Sequence, residues 1–185
     1  EILIGLVGSE MCIRDRHCGH GKSYRLVEDP SLVYVDSYHR YVEDLLFVAR
    51  KAKAEACGLP LVLYSHSMGG GIAAAAAAKA PHLFRKVVLS SPMIRPLTGK
   101  VPFADAKRIA AFACATERGT QYVVGQKPYQ GIESFKQSSS LSRPRFLYYQ
   151  QKREKEPLYH LNAASYGWLP VSYTHLRAHE TDQYL

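Results

Sequence analysis

Between Ser37 and Ala56, apolar residues recur at Tyr41, Leu45, Val48 and Ala52, with charged residues between them. That spacing lines one face of a helix. Gly58-Leu59-Pro60 stops it. Leu61-Val62-Leu63-Tyr64 is a short apolar run of the buried-strand type. Gly69 to Ala80, with its alanine run, predicts a second helix ended by Pro81. Lys86-Val87-Val88-Leu89-Ser90 predicts a second strand, closed by Pro92. Strand, helix and strand in that order imply a right-handed crossover and a parallel sheet, so the expected class is α/β.

The pattern changes after Pro92. Phe103 to Ala115 and Leu141 to Gln151 read as helices, with Gln137 to Pro144 as a loop or helix start. No clear strand alternates with them. They are expected to form an insertion packed on the sheet.

Composition narrows the class. The chain has 185 residues, 46% hydrophobic and 22% charged, which are globular values. No apolar run approaches the ~18 residues of a membrane span. Cys12, Cys18, Cys57 and Cys114 contain no Cys-x-x-Cys pair, which excludes a disulfide scaffold and the usual zinc ribbons. A net charge of +8 invites a nucleic-acid or anionic-membrane reading.

The two ends do not read like the middle. Leu6 to Asp15 can be encoded CTC GTG GGC TCG GAG ATG TGT ATA AGA GAC, with AG opening Arg16. The reverse complement closes a Pro codon and then encodes Val-Ser-Tyr-Thr-His-Leu-Arg-Ala-His-Glu. Those are Val171 to Glu180 in order, directly after Pro170. The DNA resembles a transposon-type sequencing-library adapter. Residues 1–16 and 171–185 are therefore expected to be non-native, and residues 17–170 to be the biological segment. That segment carries 21 Lys and Arg against 11 Asp and Glu, a net +10.

The sharpest chemical signal is Ser65-His66-Ser67-Met68-Gly69-Gly70-Gly71, between the first strand and the alanine-rich helix. A nucleophile elbow needs that context, with the nucleophile at the apex of a tight strand-to-helix turn. Small residues are required two positions either side, where strand and helix converge. Ser65 and Gly69 meet that need, although Ser65 stands where Gly is usual. The Met68 backbone N–H is then placed to bind an oxyanion, aided by the helix N-terminus. The plain structural alternative is a Ser/Gly turn that caps a helix.

This stretch resembles the α/β-hydrolases, together with His17-Cys18-Gly19-His20-Gly21-Lys22-Ser23 and Leu89-Ser90-Ser91-Pro92-Met93. Within them it is most similar to the bacterial lysophospholipase and monoacylglycerol-lipase group, also catalogued with serine aminopeptidases. Gly19, Gly21 and Ser23 match an Asp-x-Arg-Gly-x-Gly-x-Ser stretch of that group. Cys18 stands where Arg is usual, and Arg16 where Asp is usual. The resemblance implies a partial α/β-hydrolase, with residues 17–96 as core and 97–170 as a helical lid.

It further implies a serine hydrolase of acyl esters, with Ser67 as nucleophile and Met68 as oxyanion donor. The expected substrate is a lysophospholipid or monoacylglycerol, with no cofactor and no metal. Such a reaction also needs a histidine base and a carboxylate to orient it. After Ser67 the segment offers Asp105, Glu117, Glu133, Glu154 and Glu156, with His82 and His160. Glu156 and His160 lie in the expected lid, so the catalytic acid and histidine are expected beyond Pro170. His66 is a usual elbow neighbour and not a base. The family setting favours a cytoplasmic location, or one peripheral to the inner membrane.

Weaker signals compete. Gly19-His20-Gly21-Lys22-Ser23 lacks the Gly of a phosphate loop, because Arg16 stands there. His17, Cys18 and His20 lack a second ligand pair for a metal. Arg143, Arg145, Lys152, Arg153 and Lys155 interleave with Tyr148, Tyr149 and Tyr159. A solvated lid face explains them, and an anionic lipid interface suits the family. No nucleic-acid motif supports them, and nucleic acid is not an expected partner. The rivals are an aminopeptidase or another esterase on the same fold, or a non-enzymatic basic binding protein.

Overall fold

The computed structural model describes residues 2–6, 12–15, 17–56, 58–94, 98–131, 133–138 and 140–170. Residues 171–185, and the domain boundary expected at 96–97, lie outside them.

Ser37 opens helix α1 (Tyr38–Glu55) in extended backbone, and its hydroxyl accepts the His39 N–H at 3.2 Å. The buried stripe is wider than the sequence pattern. Tyr38, Val42, Leu46 and Ala49 join Tyr41, Leu45 and Ala52. It packs against Leu61 and Leu63 of strand β4 (Leu61–His66) and Ile72, Ala73 and Ala76 of helix α2 (Met68–Lys79). Leu45 and Leu46, fully buried, contribute about 1.5–3 kcal/mol each.

Strand β5 (Lys86–Ser90) pairs parallel with β4, from Val62 opposite Lys86 to His66 opposite Ser90. The expected strand–helix–strand unit is therefore present. That pair is parallel, as expected, and the sheet as a whole is mixed because two strands from residues 1–16 join it antiparallel. Its order is β2-β1-β4-β5, where β1 (Ile2–Leu6) runs antiparallel to both β2 (Cys12–Asp15) and β4. Strands close in sequence pair antiparallel because a parallel pair needs a long crossover. β1 also occupies the open edge of β4, where unpaired backbone accepts any strand. At the far side β5 is the last described strand, and Val88 (45%) and Leu89 (38%) remain exposed on it.

Helices α3 (Phe103–Ala115) and α4 (Arg143–Lys155) follow, near the expected spans. The strand-free reading of this part needs correction. Leu32–Val33 (β3) and Ala163–Ala164 (β6) form a parallel pair, extended by a bridge between Tyr122 and Ser165. Two-residue strands carry no alternation to read. Through this pair and Trp168, which packs on the main core, the helical part joins the residues before α1.

Arg153 departs from its expected place on a solvated face. It is only 4% exposed. Its guanidinium pairs with Glu133 and donates to the carbonyls of Tyr159 and Leu161 at 3.1 Å and to Asn162 Oδ1 at 2.8 Å. It also lies 4.4 Å over the Tyr129 ring. Arg25 reaches the same segment from the other side, donating to the Leu158 carbonyl at 3.1 Å. A buried charge persists only when its donors are satisfied this fully.

Candidate active site

β4 ends at His66 and α2 begins at Met68, so a single residue makes the turn. Ser67 adopts φ 54° and ψ −124°, a conformation that costs a non-glycine residue about 1–3 kcal/mol. A helix-capping serine would sit in extended backbone and accept an N–H from the first turn. Ser67 does neither, and its side chain makes no cap hydrogen bond. The residue is exposed at the apex.

Backbone contacts hold the strained turn. Ser67 N–H donates to the Ser90 carbonyl at 3.1 Å. The Ser67 carbonyl accepts from Met93 N–H at 2.8 Å and from Gly70 N–H at 2.9 Å. The loop after β5 thus clasps the elbow, and Ser91 within it also has positive φ, at 44°. Gly70 is required by this closeness. A Cβ there would lie 2.7 Å from both Cα and Cβ of Pro92. From the other side, the buried Tyr38 hydroxyl donates to the Gly71 carbonyl at 3.1 Å.

Ser65 is fully buried beneath the apex, in keeping with a position that demands a small residue. Met68 is half-buried at the first helical position. His66 is exposed at the strand end, opposite Ser90.

The other titratable residues considered lie in separate settings. His82 is exposed in the turn after α2. His160 stacks on Tyr129 with ring centroids 4.3 Å apart. Glu156 accepts the Leu158 N–H, capping a short 3₁₀ turn. Glu133 pairs with Arg153, and Asp105 with Arg108 at 3.6 Å. Glu117 and Glu154 are exposed.

His17 is buried, and among the described residues neither ring nitrogen has a hydrogen-bond partner. Burial first, and then the neighbouring His20, push its pKa down to about 3. Burial lowers that of His20 as well. The Cys18 thiol is pushed up, also by burial. These residues form a neutral, apolar-packed turn against Tyr41. Among the described residues, no group of three or more His, Cys, Asp or Glu is placed to hold a metal ion. A cavity of about 440 Å³ lies elsewhere, lined by Tyr34, Asp36, Cys114, Glu117, Thr120 and Gly167, with no elbow residue in its wall.

The sequence pointed to the apex but not to its supports. Pro92 and Met93 stood out in the sequence as the end of a strand and as part of the family-like stretch, and Tyr38 as one residue of the helix after Ser37. Their part in the turn depends on β5 lying beside β4.

A family model described as serine aminopeptidase, S33, matches residues 8–169. The chain belongs to that family. Its fold is accordingly that of an α/β-hydrolase, present here in part. Among its relatives, a protein described as probable lysophospholipase L2 of Haemophilus influenzae is 28% identical over 153 residues. That alignment covers 83% of this chain and 48% of the relative. Lysophospholipase L2 of Escherichia coli K12 is 25% identical over 167 residues, covering 90% of this chain and 48% of the relative. Human monoglyceride lipase is 37% identical over 78 residues, covering 42% of this chain and 24% of the relative. The chain thus spans about half the length of the lysophospholipases it matches.

Proposed function

We propose that this chain is the nucleophile-bearing part of a serine hydrolase that cleaves acyl esters of lipids, lysophospholipids or monoacylglycerols. The observation that carries the reading is Ser67, exposed at positive φ with its hydroxyl unused as a cap. In this reading its Oγ attacks the acyl carbonyl, and the Met68 N–H holds the tetrahedral oxyanion. The alcohol leaves with a proton from a histidine. Water then releases the fatty acid from the acyl-serine. The names of the relatives favour a lipid ester, whereas the family description favours an amino-terminal peptide bond. Paired assays on a lysolipid and an aminoacyl arylamide separate the two.

We take the catalytic acid and histidine to lie beyond Pro170. His160 and the carboxylates between Ser67 and Pro170 have other partners or settings, as described above. Residues 97–170 shape the acyl site as a lid in this reading. Residues 1–16 and 171–185 are treated as adapter-encoded, on the strength of their complementary coding. Nucleotide reads with unrelated codons at the two ends overturn that assignment.

The test is labelling by a fluorophosphonate probe, which traps an activated serine, in the protein at its full native length. Wild type is expected to label and Ser67→Ala not to. Equal labelling of both removes Ser67 from the mechanism.

A further inference from the structure

The Ser67 carbonyl accepts two hydrogen bonds, and one of them comes from outside its own helix. Gly70 N–H reaches it at 2.9 Å, the first bond of α2 in its tighter 3₁₀ form. Met93 N–H, from the loop after β5, reaches the same oxygen at 2.8 Å. The loop is shaped to aim this second donor. Ser91, at φ 44°, turns the chain back toward the elbow. Pro92 follows, with its φ fixed by the ring. Ile94 N–H donates to the Pro92 carbonyl at 3.0 Å, which closes a three-residue turn centred on Met93. Met93 has no positive φ, so this is the relaxed inverse γ-turn, with φ about −75°.

The Ser67 carbonyl belongs to the peptide group whose other end is the Met68 N–H. Met68 opens α2, so that N–H has no intrahelical acceptor. An amide whose oxygen accepts hydrogen bonds carries more charge on that oxygen, and its N–H becomes a stronger donor. Linked hydrogen bonds strengthen one another by about 10–30% each. The loop does not depend on the Met93 bond to stay in place. Ser67 N–H already donates to the Ser90 carbonyl at 3.1 Å, and Pro92 rests on Gly70. Nor does the carbonyl need it, since Gly70 N–H already satisfies it. What Met93 adds is polarisation of the one peptide that presents its N–H at the apex.

We infer that Met93 is a positioning residue for the reaction. Its backbone N–H polarises the Ser67–Met68 peptide and so strengthens the Met68 N–H as oxyanion donor. This rests on the serine-hydrolase reading above and adds a group that acts on the oxyanion without touching it. A whole oxyanion donor is worth about 10²–10³ in kcat, and 10–30% of that on a logarithmic scale is about two- to eightfold.

The experiment uses the full native-length protein. Met93→Pro deletes the N–H at a φ that proline accepts. Met93→Ala removes the side chain and keeps the N–H. Replacement of Met93 by its α-hydroxy acid deletes the N–H without a ring, and serves where the proline variant does not fold. Loss of the N–H is expected to lower kcat on a soluble short-chain ester about two- to eightfold with KM unchanged. Met93→Ala is expected to keep the wild-type rate. A second readout separates polarisation from displacement of the serine. An alkyl trifluoromethyl ketone adds to an active serine as a hemiketal, whose oxygen ionises in the place of the reaction's oxyanion. That ionisation, followed by fluorine NMR, is expected to move up by about 0.3–0.9 of a pH unit when the N–H is lost. An unmoved ionisation, or an unchanged kcat in a folded variant without the N–H, overturns the inference. So does an equal fall in Met93→Ala. Hydrolysis that survives Ser67→Ala overturns the serine-hydrolase reading, and the inference with it. Hydrolysis abolished by Ser67→Ala, with the hemiketal ionisation unmoved, overturns the inference alone.

Discussion

Gly70→Ala tests the elbow's packing more sharply than a change at Ser67 itself. The new Cβ would sit 2.7 Å from Pro92 Cα and Cβ. Ordinary carbon contacts are about 3.5–4.0 Å, so α2 and the loop after β5 must separate by about 1 Å. One contact atom is backbone, so no rotamer change relieves it. Overpacking of this kind costs about 1–3 kcal/mol, and the upper end applies. Alanine returns at most about 1 kcal/mol through its better helix propensity. The net expectation is a loss of about 2 kcal/mol in unfolding free energy, read from urea denaturation. The catalytic loss should exceed the stability loss. The same loop donates Met93 N–H to the Ser67 carbonyl, so separation moves the nucleophile. A displacement near 1 Å costs about a hundredfold in rate. Fluorophosphonate labelling under conditions where the variant remains folded measures it. A Gly70→Ala protein with wild-type denaturation and wild-type labelling would show that Pro92 yields freely and that the clasp does not set the geometry.

Three further outcomes follow from the same structure. Ser67→Gly relieves the positive-φ strain and is expected to raise unfolding free energy by about 1 kcal/mol while abolishing labelling; a destabilised variant contradicts the strain. Arg153→Met strands the Tyr159 and Leu161 carbonyls and is expected to cost about 2–4 kcal/mol, with faster proteolysis between residues 120 and 165; unchanged proteolysis counts against Arg153 as the anchor of that segment. His17 has its folded pKa depressed to about 3, so the unfolded chain binds the extra proton between about 6.5 and 3. Its stabilisation is present above pH 6.5 and is lost as pH falls through that window. His17→Phe should therefore flatten the decline between pH 6.5 and 5 by about 1–2 kcal/mol, and parallel wild-type and variant curves would refute it.

Local chemistry made the centre of this fold legible. Ser37 with its following helix, the apolar runs at Leu61 and Lys86, and Ser67 between strand and helix each carry their cause within a few residues. The elbow could be found because a turn this tight dictates small neighbours. What stayed hidden was set by partners distant in sequence. β3 and β6 are too short for a pattern and form only where residues 32 and 163 meet. The direction of β1 depends on which edge of β4 is open. Arg153 reads as one more surface cation in a basic stretch, and only the carbonyls of the segment after α4 explain its burial. Likewise Pro92 has no visible link to Gly70 until β5 is laid beside β4.

The exposed flank of β5 has a practical consequence. Val88 and Leu89 sit on a strand whose outer backbone ladder has no partner among the described residues. Such a rim accepts whatever extended peptide reaches it first. Produced by itself, the chain should self-associate through this rim. The same rim makes it a natural half of a split-protein pair. A polypeptide supplying the neighbouring strand, co-expressed as a separate chain, should pair with β5 and suppress that self-association.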